Sequence, residues 1–473
     1  MSYVPPDGSI PTLEVPDLRT VRSVHMIGIG GAGMRNLAKL LLARGIAVSG
    51  SDLKDSKGLA ELAALGAGVT VGHSPENLDT PDAVVISSAI AERNPELASA
   101  RERGLTVWAR AQVLAAAARD RRAIAVAGTH GKTTTTSMIA TVLERAGTDP
   151  TFVVGGDLNE SGSGARAGAS DLFVAEADES DGSFLLFRPE IGIVTNIELD
   201  HVDFYPRGQS EIEEAFALFA ERSLRVVACG DDPAVARALS AKDPAAVRTY
   251  GTGDAGDIVV VPTSVGPGGA RGSISIDGRD VDVALRIDGA HNLLNAAAAI
   301  ATASLVGVDP VVAAAALGDF AGVRRRFELR GSVRGADFYD DYGHVPTELA
   351  VTLDVARRTG PRRLIAVFQP HRYSRTQALW RELGASLVEA DLVLVTDVYG
   401  ANQDPIPGVT GELVVEGIRM ADAGTPVVYC PHRTDVVELL LKEVREGDLV
   451  ITMGCGDVWM LGDETLERIR ETG

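Results

Sequence analysis

The sequence predicts an α/β protein of three domains, and three observations carry that prediction. At 473 residues the chain is too long for one hydrophobic core. Apolar runs of strand length alternate with helix-period stretches almost throughout, the pattern of parallel sheets covered by helices. Two of the strand–helix junctions, at 28–33 and 128–131, are rich in glycine, where the backbone must turn sharply into a helix.

In chain order, the first block has strands at 24–28, 47–50 and 83–87 and a helix at 34–44, and it ends near the charged stretch 119–122. The second opens with the apolar run 123–127 and a helix over 133–147, then adds strands at 172–175, 192–196, 226–229 and 247–250. A β-rich insert covers 258–262 and 272–288, where alternation and the turns Asp277-Gly278 and Asp288-Gly289 predict antiparallel hairpins. A long Ala-rich helix, 293–305, follows. The third block starts near Gly331, with strands at 364–368, 392–396, 427–429 and 449–453 between helices. Repeats and low-complexity tracts are absent. The expected domains are 1–120, 121–330 and 331–473.

Composition narrows the function. Asp and Glu number 65 against 45 Lys and Arg, and a net charge of −20 argues against a nucleic-acid surface. No apolar run approaches the roughly 18 residues of a membrane span. The Pro-rich, polar segment 1–17 lacks the charged-then-apolar pattern of an export signal. Cys229, Cys430 and Cys455 lie far apart without metal-site spacing, which suits a reducing cytoplasm. The expectation is a cytoplasmic protein acting on small molecules, with a homo-oligomer left open.

Gly128-Thr129-His130-Gly131-Lys132-Thr133-Thr134 follows one predicted strand and opens a helix. Its glycines let backbone amides close around phosphate oxygens at the helix N-terminus. Lys132 can neutralise charge between β- and γ-phosphates, and the Thr133 hydroxyl can ligate Mg²⁺. Val126 stands where the full Walker pattern has its first glycine. The central domain is therefore expected to be of P-loop type with a small β insert, binding ATP.

Gly28, Gly30, Gly31 and Gly33 sit between a strand and a helix, with Asp52 after the next strand. This is a dinucleotide fingerprint, so the N-terminal domain reads as Rossmann-like. The glycines admit a pyrophosphate and Asp52 can bond a ribose hydroxyl; NAD and a UDP-sugar fit equally well. In Glu176-Ala177-Asp178-Glu179-Ser180-Asp181, Glu176 is the first acid after a buried strand and the preferred metal ligand, while Glu179 and Asp181 read equally as solvated loop charges. His201 stands among the acids of 196–203, at a strand end in the same domain, where it can ligate a second Mg²⁺ or approach a phosphate. In the doubly wound third domain, Asp340-Asp341-Tyr342-Gly343-His344 and Phe368-Gln369-Pro370-His371-Arg372-Tyr373-Ser374-Arg375-Thr376 lie at element junctions. Arg372 and Arg375 there suit carboxylate or phosphate recognition.

These motifs, with His291-Asn292-Leu293-Leu294-Asn295, Arg325-Arg326-Phe327 and 454–457, occur in an order that resembles the Mur ligase family over essentially the whole chain. The resemblance is closest to its alanine-adding branch. It implies that the N-terminal domain binds UDP-N-acetylmuramate, the middle one ATP with Mg²⁺, and the C-terminal one L-alanine. The implied chemistry is an ATP-driven ligation through an acyl phosphate. By resemblance Lys132 meets the γ-phosphate, Thr133 and Glu176 hold one Mg²⁺, and Glu176 with His201 holds the second. Asn292, Asn295 and Arg326 resemble nucleotide contacts, while His344, Arg372 and Arg375 take the amino acid. Two positions depart from the common family pattern. Val345 replaces a second histidine after Asp340-Asp341-Tyr342-Gly343. Phe216 stands where most sister ligases carry a carbamate-forming lysine, a lysine that the alanine-adding branch also lacks.

Three alternatives compete. A recycling ligase would attach a tripeptide to the same sugar nucleotide, but 368–376 matches the alanine-adding form. A nicotinamide-dependent dehydrogenase explains 28–33 and leaves 128–136 idle. A P-loop ATPase switch explains the reverse.

Overall fold

In the computed structural model the described residues are 14–155, 163–201, 204–253, 256–266, 268–401 and 403–472. Residues 1–13 of the N-terminal segment, and Val202 and Asp203 of the second acidic motif, lie outside them. The main division of the chain falls between Ala321 and Gly322, giving two compact units.

The first unit begins with a five-stranded parallel sheet of order β3-β2-β1-β4-β5. Its strands are β1 (Ser23–Ile27), β2 (Ala47–Asp52), β3 (Gly68–Val71), β4 (Ala83–Ile86) and β5 (Val107–Ala109). Four helices accompany them: α1 (Ala32–Ala43), α2 (Lys57–Ala64), α3 (Pro95–Glu102) and α4 (Arg110–Ala118). The chain runs outward from β1 to β3 and then crosses back to β4. That reversal opens a crevice at the carboxyl ends of β1 and β4, where such folds seat ligands.

A ten-stranded sheet completes the unit, in the order β15-β14-β13-β12-β11-β10-β6-β9-β7-β8. Its strands are β6 (Arg122–Ala127), β7 (Thr151–Val153), β8 (Ala165–Arg166), β9 (Leu172–Glu176), β10 (Ile191–Val194), β11 (Arg225–Cys229), β12 (Val247–Gly251), β13 (Ile258–Gly266), β14 (Gly269–Ile276) and β15 (Arg279–Ala284). The helices are α5 (Lys132–Arg145), α6 (Gln209–Arg222), α7 (Pro233–Ala238), α8 (Ala290–Leu305) and α9 (Pro310–Leu317). β6 lies between β10 and β9, so whatever follows it is flanked by both of their carboxyl ends. Burial is nearly complete along β6, β9 and β10, as both-face coverage by helices requires.

The β-rich insert is a continuation of this sheet, with β13 pairing parallel to β12. Asp277 and Gly278, both at positive φ, join β14 and β15 in an antiparallel hairpin as expected. The hairpin expected at Asp288-Gly289 is absent. Gly289, at φ +100°, is the N-cap of α8, and the Asp288 carbonyl accepts the Asn292 side-chain amide. An Asp-Gly pair supplies the same positive φ to a helix start as to a turn.

The second unit holds a six-stranded sheet of order β16-β17-β21-β18-β19-β20, parallel except for β16 against β17. Its strands are β16 (Glu328–Val333), β17 (Ala336–Asp341), β18 (Arg363–Phe368), β19 (Leu392–Val395), β20 (Val427–Tyr429) and β21 (Asp448–Met453). Its helices are α10 (Pro346–Arg358), α11 (Tyr373–Ser386), α12 (Glu412–Ala421), α13 (Arg433–Glu443) and α14 (Trp459–Thr472). Among the described residues no helix is long and apolar enough to cross a membrane.

Candidate active site

The turn after β6 is built from close approaches. Gly128, at φ +137°, packs so tightly on Thr195 that any Cβ there would collide with that side chain. Gly131, at φ +80°, is the N-cap of α5, and a Cβ there would stand 3.0 Å from Oδ1 of Asn295. The segment after β10 clamps the turn from one side. The His130 amide donates to Asn196 Oδ1 at 2.8 Å, the Thr195 hydroxyl donates to the His130 carbonyl at 2.6 Å, and the His130 ring meets Glu198 at 2.7 Å. Thr129 joins the same segment, its amide donating to the Asn196 carbonyl. From α8, Asn295 accepts the Thr135 hydroxyl at 3.1 Å and donates to Asn292 at 3.1 Å. Thr133 and Thr134 lie half-buried on the first turn of α5. The expected residues 128–134, Asn292 and Asn295 thus come together.

Lys132 Nζ donates to the carbonyls of Gly128 (2.6 Å) and Thr129 (3.2 Å) and to both oxygens of Glu179 (2.9 and 2.7 Å). Burial works against its ammonium, but the charges of Glu179 and Asp178 carry it above the ordinary lysine value. Burial pushes the Glu179 carboxyl up to about 7 against the pull of Lys132. Glu179 is therefore no solvated loop charge; its side chain is 1% exposed. The sequence signal for it was present, an acid three residues beyond Glu176, but nothing local distinguishes a buried acid from a wet one.

Glu176 ends β9 opposite Val126 and accepts the Gly155 amide at 2.7 Å. Burial raises Asp178, but Lys132 and His201 outweigh it and hold this carboxyl low; Asp181 is pushed up by burial and by Asp178. His201 sits at φ +53° with its ring 3.2 Å from Asp200. Lys132, Glu176, Asp178, Glu179 and His201 therefore share one electrostatic neighbourhood. Among the described residues no trio of His, Cys, Asp or Glu forms a metal cage. Mg²⁺ needs none, since it keeps waters and takes one or two protein ligands beside phosphate oxygens. Thr133, Glu176 and His201 fit that sparse demand. Phe216 is fully buried against Phe184, ring centroids 5.1 Å apart, so it belongs to the core.

The first glycine turn differs. Gly28, at φ +76°, and Ile29 both donate to the Ser51 carbonyl, and Gly31 is the N-cap of α1. Asp52 Oδ2 accepts the Gly30 amide at 2.9 Å, so this carboxylate braces the turn. Behind it, Glu96 is wholly buried and accepts from Ser51 (2.5 Å), Asn77 (2.5 Å) and the Ser74 amide (3.2 Å). Burial opposes its charge, yet His25 and these donors draw it down to about 2.

In the second unit, the His344 ring lies 5.8 Å from that of His371, and His371 Nδ1 is 3.1 Å from Nη1 of the buried Arg375. His371 links two of the expected amino-acid residues, and the sequence marks it only as a member of the 368–376 motif. Arg372 is the N-cap of α11 at φ +67°, its amide donating to the Tyr399 carbonyl at 2.8 Å. Its Nε is buried and, among the described residues, makes no hydrogen bond. Val345 is buried at the start of α10. Arg326 lies over the Tyr342 ring at 5.3 Å and 3.8 Å from Glu348, in the second unit, whereas the other expected nucleotide residues lie in the first.

Comparison with known proteins bears on all three sheets. The chain matches the Mur ligase family catalytic domain over residues 23–122, the Mur ligase middle domain over 126–303, and the Mur ligase glutamate ligase domain over 325–456. It is 46% identical to the UDP-N-acetylmuramate–L-alanine ligase of Thermobifida fusca, over 94% of this chain and 96% of that protein. With the enzyme of the same name from Rubrobacter xylanophilus the identity is 47%, over 94% and 100%. The crystal structure of a UDP-N-acetylmuramate-alanine ligase from Thermotoga maritima superposes with a TM-score of 0.81 at 27% identity, covering 95% of this chain and all of that one. A murein peptide ligase from Psychrobacter arcticus gives 0.74 at 25%, covering 95% and 98%.

Proposed function

The chain belongs to the Mur ligase family, and from that premise we propose that it joins L-alanine to UDP-N-acetylmuramate with ATP as phosphoryl donor, a step of peptidoglycan precursor synthesis. The observation that carries this reading is identity of 46–47% over nearly the full length to proteins that bear this name. The tripeptide-adding alternative rests on likenesses of 25% and 31%, the second over 65% of this chain.

In this reading residues 1–120 bind the sugar nucleotide, 121–330 bind ATP and 331–473 bind the amino acid. Gly28, Gly30, Gly31 and Gly33 let the diphosphate approach the backbone closely at the N-terminus of α1. A lactyl carboxylate oxygen attacks the γ-phosphorus of ATP, the bond to the ADP oxygen breaks, and an acyl phosphate forms. The amine of L-alanine then adds to the acyl carbon, loses a proton, and inorganic phosphate leaves. Such chemistry is chiefly positioning and neutralisation of charge. Lys132 neutralises the transferring phosphoryl group, while Glu179 and two carbonyls fix its ammonium in place. Thr133, Glu176 and His201 are the residues that hold Mg²⁺, which supplies further charge neutralisation when bound. Arg372 takes the alanine carboxylate, since its buried Nε still has a donor to satisfy. His344, with Arg375 tied to it through His371, stands by the amine. The protein acts in the cytoplasm, with neither nucleic acid nor membrane as partner.

Phosphate release from ATP tests the proposal. It is expected only when UDP-N-acetylmuramate and L-alanine are both present. Release with the tripeptide but not with L-alanine would favour the recycling ligase, and release without either would leave an ATPase.

A further inference from the structure

Phosphoryl transfer to a carboxylate brings anions together, in a chain whose own net charge is −20. Lys132 answers for the ATP side. The first glycine turn carries no such lysine, and the cations of α1 are engaged elsewhere: the Arg35 guanidinium lies against Gly58, and Lys39 pairs with Glu61 at 2.7 Å.

The cation that does reach this turn comes from α4. Arg110 is the first residue of that helix, at the carboxyl end of β5. A Cβ built on Gly33 would stand 3.1 Å from its Nη1 and 3.5 Å from its Cζ, so the guanidinium lies on the first turn of α1. Among the described residues it makes no hydrogen bond and no ion pair, although Asp178 and Asp181 both feel its charge. Its backbone is firmly held. Residues 113–118 of α4 are all buried, and the helix packs on the short turn Ser183–Leu186, which follows closely on Asp181. One half-buried guanidinium thus lies on the first turn of α1, and its charge reaches the acidic loop beside Lys132.

We propose that Arg110 binds the anionic oxygens of the sugar nucleotide, its diphosphate or its lactyl carboxylate, and so aligns that substrate with the ATP site. This rests on the ligase reading above. A guanidinium suits the task because its fork of donors meets two oxygens at once. It also places positive charge beside a glycine turn that carries none of its own.

Titration calorimetry without ATP separates the possibilities. Wild type, Arg110→Ala and Arg110→Gln would each be titrated with UDP-N-acetylmuramate, UDP and ADP. The Gln variant keeps a stem over Gly33 while removing the charge, and ADP binding reports that the fold and the ATP site are intact. Both variants are expected to weaken UDP-N-acetylmuramate binding on the order of thirtyfold or more, with ADP affinity unchanged. A parallel loss for UDP assigns the contact to the diphosphate; a loss confined to UDP-N-acetylmuramate assigns it to the lactyl carboxylate. Wild-type affinity for the sugar nucleotide in the Gln variant would overturn the assignment. Failure of the wild type itself to bind UDP-N-acetylmuramate would instead overturn the ligase reading, and the assignment with it.

Discussion

The two glycine-rich turns, after β1 and after β6, look alike in sequence and are built differently. The first is braced from β2, by Asp52 on Gly30 and by the Ser51 carbonyl on Gly28 and Ile29, and opens onto the crevice between β1 and β4. The second is gripped from three elements, by Thr195, Asn196 and Glu198 after β10, by Asn295 of α8 and by Glu179 after β9. Both turns follow strands with neighbours on either side, so the difference lies in the surroundings: segments after β9 and β10 and the start of α8 bond onto the second turn, whereas β2 braces the first. A turn held on every side fixes its lysine, as phosphoryl transfer requires. A turn braced mainly from one strand leaves its outer side open for a larger ligand.

The comparison breaks most sharply at Lys132. Lys132→Ala is expected to lower the ligation rate by about 10²–10³-fold while UDP-N-acetylmuramate affinity, read by calorimetry, stays near wild type. If sugar affinity falls with it, the two turns are not separate binding devices.

Gly128→Ala comes next. It would strain a positive φ and drive a methyl group into Thr195, a cost above about 2 kcal/mol. Denaturant unfolding and ADP titration should both register the loss. A variant of normal stability would mean that the grip on the second turn is loose.

The buried acids behind the two turns should show opposite pH dependence. Glu96 is drawn from 4.5 to about 2, so its stabilisation is full above the ordinary value and is lost as pH falls towards 2. That stabilisation amounts to about 3 kcal/mol at most. Glu179 is pushed from 4.5 to about 7, so its contribution is full at low pH and declines as pH rises through 7. Melting temperatures across this range are expected to lose the acid-side fall in Glu96→Gln and the neutral-side fall in Glu179→Gln. Equal slopes in the two variants would show that both acids sit in equivalent environments.

Gly31→Ala should do least. Gly31 has φ −62°, and an added Cβ would meet only the Gly28 carbonyl at 3.5 Å, an ordinary contact. A stability change within about 0.5 kcal/mol is expected by thermal melting. A large effect would mean that the first turn is as crowded as the second.

Much of this protein was legible from the chain alone. Fully buried strands such as β6, β10 and β18 announce themselves as short apolar runs, and the glycines with Lys132 mark the central turn because few residues tolerate that backbone. Strands with mixed exposure did not show. β3 and β16 alternate poorly, since each lies at a sheet edge with much of its surface in water. Nor could the sequence tell the two uses of Asp-Gly apart at 277–278 and 288–289. Only the tertiary structure decided that Asp52 braces its own turn, that Glu179 is buried on Lys132, that His371 links His344 to Arg375, and that Arg110 lies on Gly33. Each of these contacts joins residues far apart in the chain, or depends on which strand lies beside which. Local pattern reports whether a residue can be buried; which partner awaits it there is set by the order of strands in the sheet.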